Sequence, residues 1–561
     1  MKLRRHALVA CGTFAAFACA SACSGAGDAP LPDGGAEASA ADASVQDASN
    51  EASPVDAGGG ADADAGAHDA AADGEAGADT GVDAGDGGLP PPVLTLGAPN
   101  RILLLGTVVT PDIAFIGQVL VEGDLITCVA PGLGCAGQVG AAGATVIDTK
   151  GVIAPGLVDT HNHIIFDIFD DDDWLPSKVY ANHDEWPSEP RYQAMLDVKQ
   201  CLEDASQGKP AWCPLTYDGA GSLKCEMDKW GELKALVAGT TSVVGLAGTT
   251  SACFGSLARS LDAAQNGLGQ DKIQTSALFP PSRSAADGVC ANFADGDTDA
   301  YLIHVGEGTN AKALAELATL GTVSSTPGCL YAPQTTITHG TAFGPSEFAQ
   351  MAAAGMKLTW SPRSNVALYG TTTNVPAALD AGIVVALAPD WSMGGSQNLL
   401  DELRFAASWN ALHFGGRLAD RDLVAMTTKN AAKVVGLAGK LGRVAVGLTA
   451  DLMVVSPTKP DAFGAILAAR PKDVRLTMVG GRILYGDAVL KAAAPATPGC
   501  EDVPICGAPK FLCVAESTTT SKLGQTYAEI KAALEAALVD VDAITPDGYD
   551  FAPLAPLVKC D

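Results

Sequence analysis

The stretch "GLVDTHNHIIFD", residues Gly156 to Asp167, places His161 and His163 one residue apart at the end of an apolar run, in a chain with only eight histidines. In a strand, residues i and i+2 point to the same face. The two imidazoles therefore project together from the C-terminal end of "VIAPGLVDT". Side by side they can share one cation, and neutral imidazole suits zinc and iron. Taken alone, the pair reads more readily as two surface histidines near a strand end.

Later runs repeat the pattern. "YLIHVGEG" carries His304, "TTITHGTAF" carries His339, and "IVVALAPDWS" ends on Asp390 and its neighbours. Each polar residue follows a run of mostly apolar or β-prone residues. Four of the six histidines between residues 100 and 561 thus sit at strand ends, with an aspartate beside them. Strand-like runs ("TSVVGLAG", "KIQTSALF", "MKLTWSPRSN") alternate with helical spacing in "AKALAELATLG", "PSEFAQMAAAG" and "NLLDELRFAASWNAL". Such alternation implies parallel strands with crossover helices. The expected fold class is α/β, a (β/α)₈ TIM-type barrel over residues 154–439, with the strand-end residues at its catalytic face. One strand gives no run of its own. It is expected either between "SALF" and "YLIHV" or in the cysteine-containing insertion at residues 201–230. Short β-rich runs also flank the barrel on both sides, at residues 96–153 and 440–495. They predict a small β-sandwich domain built from both flanks.

These motifs resemble the amidohydrolase superfamily over roughly residues 98–490. "GVIAPGLVDTHNH" matches its first barrel strand, and "GLTADLMVVS" with "VRLTMVGGRILYGD" matches the strands closing its second domain. "HVGEG", giving His304 and Glu307 as H-x-x-E, resembles the branch of cytosine and guanine deaminases and triazine hydrolases, as do "WSPRSN" and "APDWS". The resemblance implies one divalent metal ion, zinc before iron, held by His161, His163, His304 and Asp390. It implies Asp390 and Glu307 as proton carriers, and His339 as a hydrogen-bonding partner of the attacking water or the developing oxyanion. Two-metal branches use a carboxylated lysine; Lys224 and Lys272 are poorly placed for that part. His183, Trp360 and Arg363 are candidate substrate contacts, with surface or structural roles as the alternatives. His413 reads as structural. The acidic run Asp170–Asp173 reads as a solvated loop, since it lacks the spacing of a calcium loop.

The expected function is metal-dependent hydrolysis of a non-peptide carbon–nitrogen bond in a small molecule, deaminase-like. The alternatives are an amidase, dipeptidase-like or imidazolonepropionase-like amidohydrolase, and a non-catalytic surface binding protein on a dead barrel. The net charge of −29 argues against nucleic acid as a partner, because phosphate binding requires a basic face. About half of that charge lies in residues 24–92, which hold 15 acidic residues and no Lys or Arg. The composition there predicts a disordered tether, spanning 23–95. Residues 1–22 read as a signal peptide, with "ASAC" as a loose lipobox. Cys23 is then a lipid anchor, the only expected membrane attachment, and the protein is exported. Among the remaining cysteines, Cys128 and Cys135 lie across a tight turn and could pair. Residues 496–561 form a cysteine-containing extension with one helical run. Oligomeric state stays open.

Overall fold

The computed structural model describes residues 88–561, except 205–208, 214–221, 246–256, 264–265, 270–271, 497–498, 517–521, 523, 547–548 and 561. The signal segment, Cys23 and nearly all of the expected tether lie outside the described residues. Its last three residues form a strand.

The N-terminal flank supplies β1 (Val93–Thr95), β2 (Ala98–Val109), β3 (Ala114–Glu122), β4 (Leu125–Pro131) and β5 (Ala144–Pro155). Eight short strands follow: β6 (Leu157–Asp159), β7 (Thr240–Val243), β8 (Arg259–Ser260), β9 (Ile273–Ser276), β10 (Ala300–Val305), β11 (Thr335–His339), β12 (Lys357–Trp360) and β13 (Val385–Leu387). The C-terminal flank adds β14 (Leu452–Val455), β15 (Val474–Val479), β16 (Arg482–Asp487), β17 (Gly499–Ile505) and β18 (Ala508–Ala515).

Strands β6 to β13 are parallel and form two arcs, β6-β7-β8 and β9 to β13 in sequence order. Among the described residues, helices cross between β6 and β7 and between successive strands from β9 to β13, as in a TIM-type barrel. The three helices read from spacing are present as Ala311–Leu320, Pro345–Ala353 and Leu399–His413. Asn310 and Asn398 cap the first and third, their side-chain oxygens accepting backbone N–H groups that the helix leaves free. A parallel bridge between Asn162 and Asp390 joins the ends of the two arcs.

The strand without a run is β8, and it lies in neither expected place. The first candidate segment holds the helix Arg283–Asp295, and the second runs from the end of the helix Pro190–Leu202 into the helix Lys224–Val237. With two residues, one of them arginine, β8 has no apolar periodicity to read.

Both flanks meet in one ten-stranded sheet, in which β14 pairs with β5 and β15 with β14. The C-terminal extension joins this sheet: β18 pairs with β16, and Phe511, Leu512, Cys513 and Val514 are buried. Disulfides Cys500–Cys513 and Cys506–Cys560 staple the extension, and Cys128–Cys135 closes the turn anticipated from the sequence. Cys201–Cys213 and Cys290–Cys329 are also bonded.

Candidate metal centre

Alternation along the strands aims the functional side chains. In β10, Tyr301, Ile303 and Val305 pack into the main core, whereas Ala300 and Leu302 join a smaller cluster with Val158 and Ala386. His304 continues the Ala300–Leu302 face. Asp390 lies three residues beyond β13, whose Ala386 belongs to the same smaller cluster. His339 and Asp390 leave their strands with φ of 70° and 73°, a left-handed conformation unusual for residues with a Cβ. Backbone strain of this kind, about 1–3 kcal/mol per residue, concentrates at functional sites.

The structure gathers residues from four strand ends, those of β6, β10, β11 and β13. His161, His304, His339 and Asp390 each offer one ligand atom within 4.8 Å of all the others. His161 Nε2 lies 2.8 Å from Asp390 Oδ1, and His163 Nε2 lies 3.5 Å from the same oxygen. Main-chain bonds fix the pairing: Asp390 N donates to the His161 carbonyl at 3.2 Å, and His163 N to the Asp390 carbonyl at 2.8 Å. The four ligand candidates from the sequence therefore meet, together with His339. The tightest four include His339, which the resemblance made a water partner, and leave His163 beside them.

Burial sets the charge state. It lowers the pKa of His161 and His304 to about 3, and lowers His163 and His339 as well. Burial also raises Asp390, although His163 opposes the shift. Neutral imidazoles converging on a carboxylate are the donor set of a divalent cation such as zinc. His304 Nδ1 donates to the Ser276 carbonyl at 3.1 Å, which turns the Nε2 lone pair inward. His339 Nε2 is buried without a hydrogen-bond partner among the described residues. The inward lone pair of His304 and the buried, neutral His161 beside the Asp390 carboxylate fit a metal ion.

Glu307 follows β10 through Gly306, whose φ of +72° admits glycine and where a Cβ would stand 2.5 Å from Phe343. The carboxylate is buried. Tyr369 Oη donates to its Oε1 at 2.7 Å, and Oε2 lies 3.8 Å from His339 Nε2. Burial pushes its pKa up to about 7, against the lowering field of His183. Trp186 Nε1 donates to Tyr369 Oη at 3.0 Å. Nothing in the residue pattern pointed to Tyr369 or Trp186, because their role depends on the helix Pro362–Tyr369 and the segment after β6 packing over the strand ends.

The remaining candidates have other partners. His183 bonds Glu316 at 2.8 Å, and Glu316 in turn accepts the Gly306 N–H at 2.7 Å, so the pair braces the turn that presents Glu307. Trp360 is fully buried, with Nε1 on Thr372, and Arg363 pairs with Asp171 at 3.2 Å. The acidic run is not a solvated loop. Asp170 is buried, Asp171 accepts the Gly394 N–H, and only Asp172 is open to water. These carboxylates knit the loop after β6 to the loops after β12 and β13. Lys272 bonds the Gly296 carbonyl at the start of β9, away from the centre, and Lys224 opens a helix.

Residues 290–484 match the model of the amidohydrolase family. The 5-methylthioadenosine/S-adenosylhomocysteine deaminase of Symbiobacterium thermophilum is 27% identical over 434 residues, covering 69% of this chain and 94% of its own. The enzyme of the same name from Haloquadratum walsbyi is 26% identical over 372 residues, covering 60% and 80%. An adenosine deaminase from Xanthomonas campestris with bound zinc shares the fold, with a TM-score of 0.50, 18% identity and coverage of 70% and 96%. So does a variant of the atrazine chlorohydrolase of Arthrobacter aurescens TC1 complexed with zinc and atraton, with a TM-score of 0.52, 16% identity and coverage of 71% and 97%. Residues 290–484 thus carry the amidohydrolase pattern, and with the deaminase relatives this makes the chain a metal-dependent hydrolase acting on carbon–nitrogen bonds.

Proposed function

We propose that the protein deaminates a small, flat, nitrogen-containing ring, removing ammonia from an exocyclic amine or cyclic amidine carbon. The observation that carries this reading is the buried Glu307, poised near neutrality beside the histidine–aspartate cluster. When bound, the single cation supplies water activation and charge neutralisation. His161, His163, His304 and Asp390 are the residues to hold it. Asp390 takes a proton from the attacking water. Glu307 carries a proton to the leaving nitrogen, and a carboxyl titrating near pH 7 can both accept and release it. His339 donates a hydrogen bond to the reacting oxygen.

The approach to the centre supports a flat substrate. His163 is the least buried of the five, and its ring lies 5.6 Å from Trp391, which also meets Phe166, Trp174 and Trp186. Aromatic walls favour planar rings by stacking. The relatives' nucleoside substrates make aminopurines the first compounds to try.

Two further readings accompany this one. The Asn162–Asp390 bridge supports closure of the two arcs into one eight-stranded barrel, with the shared sheet forming a β-sandwich. The basic and apolar N-terminus before Cys23 supports export and lipid attachment, and disulfides are the rule outside the cytoplasm.

The test is metal content of the purified protein together with ammonia release from aminopurines, cyclic amidines and small linear amides. One ion per chain and ammonia from ring substrates are expected. Two ions, or release only from linear amides, would favour an amidase instead.

A further inference from the structure

Two histidines of the centre are held by partners of opposite polarity. His304 Nδ1 faces the Ser276 carbonyl, which only accepts, so that nitrogen carries the proton. His339 Nδ1 faces the Asn365 side-chain amide nitrogen at 3.0 Å, which only donates. His339 Nδ1 is then the acceptor, and Nε2 carries the proton.

The orientation of Asn365 is fixed further out. The Trp360 indole N–H, a donor only, bonds Thr372 Oγ1 at 2.8 Å. The Thr372 hydroxyl proton then goes to Asn365 Oδ1 at 3.2 Å, leaving the amide nitrogen to face His339. Thr373 donates to the His339 carbonyl at 2.6 Å and holds the backbone of that residue. Trp360, Asn365, Thr372, Thr373 and His339 are all buried, so water does not compete for these bonds. His339 Nε2 ends the chain without a partner among the described residues, and Glu307 Oε2 at 3.8 Å is beyond hydrogen-bond reach.

We propose that Trp360, Thr372 and Asn365 form a polarity relay that locks His339 as the Nε2–H tautomer. His339 is thereby a hydrogen-bond donor into the centre and not a metal ligand, although it lies within ligand distance of the others. The two histidines thus divide the work: His304 presents a lone pair and His339 a proton. What the donor meets, the oxygen of the attacking water or the developing oxyanion, rests on the hydrolytic reading above. The tautomer does not. Trp360, Thr372 and Asn365 are positioning residues, which gives the "WSPRSN" motif a physical task.

The test is two-bond proton–nitrogen correlation NMR on metal-free protein labelled with ¹⁵N-histidine, with His339 assigned by the loss of its signals in His339→Gln. The expected pattern is a protonated Nε2 and bare Nδ1 at His339, and the reverse at His304. Asn365→Asp replaces the donor with an acceptor and is expected to reverse His339, lowering kcat by about 100-fold with KM little changed. Thr372→Val removes the hydroxyl at nearly constant shape and is expected to give a mixture of tautomers, and Thr372→Ser to restore one. A bare Nε2 on His339 in the unaltered protein overturns the proposal, as does a tautomer indifferent to both Asn365→Asp and Thr372→Val. If the pattern is as expected but no ring substrate yields ammonia, the deaminase reading fails and the relay stands.

Discussion

At the scale of single residues, the centre is a set of burial effects. His161 and His304 stay neutral because burial disfavours their charge, and Glu307 is raised to about 7 for the same reason. Glu307→Gln is expected to retain metal but lose about 10²- to 10⁴-fold in kcat. Activity of the unaltered enzyme is expected to fall as pH rises through about 7, because Glu307 must be protonated to deliver a proton to the leaving nitrogen. A pH–rate profile in which Glu307→Gln keeps the same alkaline limb would remove Glu307 from that role. His183 behaves in the opposite sense. Burial works against its charge, but Glu316 and Glu307 more than offset this and raise its pKa to about 9. The resulting stabilisation is full below its unfolded value of about 6.5 and is lost as pH rises through about 9. The gap in denaturation midpoint between the unaltered protein and His183→Gln is therefore expected to be wide at about pH 6 and to close by about pH 10.

At the scale of elements, strand ends and the turns after them place the chemistry. Strand β10 delivers His304 on its inward face, and the left-handed Gly306 then reverses the chain to present Glu307. Gly306→Ala puts a methyl into Phe343 at 2.5 Å and forces an unfavourable φ. It is expected to cost about 1–3 kcal/mol in chemical denaturation and to lower kcat more than it raises KM, since Glu307 moves with the turn. A fully active and equally stable variant would show that the turn is not the positioning element. The strands carrying His161, His304, His339 and Asp390 were legible because each ends a run of four or more β-prone residues. Strand β8 was not, because two residues held by pairing with β7 and by the Arg259–Asp451 and Ser260–Glu232 contacts leave no pattern in the chain.

At the scale of the whole molecule, the centre ties together residues up to 229 positions apart. A cation binding only the folded state adds stability by mass action, about 2.7 kcal/mol at a hundredfold excess over Kd. Chelation is expected to lower the thermal midpoint of the unaltered protein but to leave Asp390→Ala unmoved; an identical drop in both would argue against a stabilising ion at this centre. The C-terminal tail adds a second tie. Phe551 packs on Phe169, Ala555 N donates to the Ile168 carbonyl, and Lys559 pairs with the buried Asp170. Cys506–Cys560 anchors the end of this tail. Its partner is the loop after β6 that carries Asp171 toward Arg363 and Gly394. Cys506→Ser with Cys560→Ser is expected to destabilise the protein by about 2–4 kcal/mol and to raise KM through that loop. An unchanged KM would separate the tail from the site.

The sequence by itself determined which side chains stand at the strand ends. Strand alternation and crossover topology are written in local periodicity; His304 obeys the alternation, whereas His339 and Asp390 enter the centre through left-handed backbone just where their strands end. Only the tertiary structure decided what those side chains are chemically. Which nitrogen bears a proton, how far a carboxyl is raised, and which loop the tail clamps all follow from burial and from hydrogen bonds between residues far apart in the chain. Such contacts have no spacing rule, because packing and not periodicity brings the groups together.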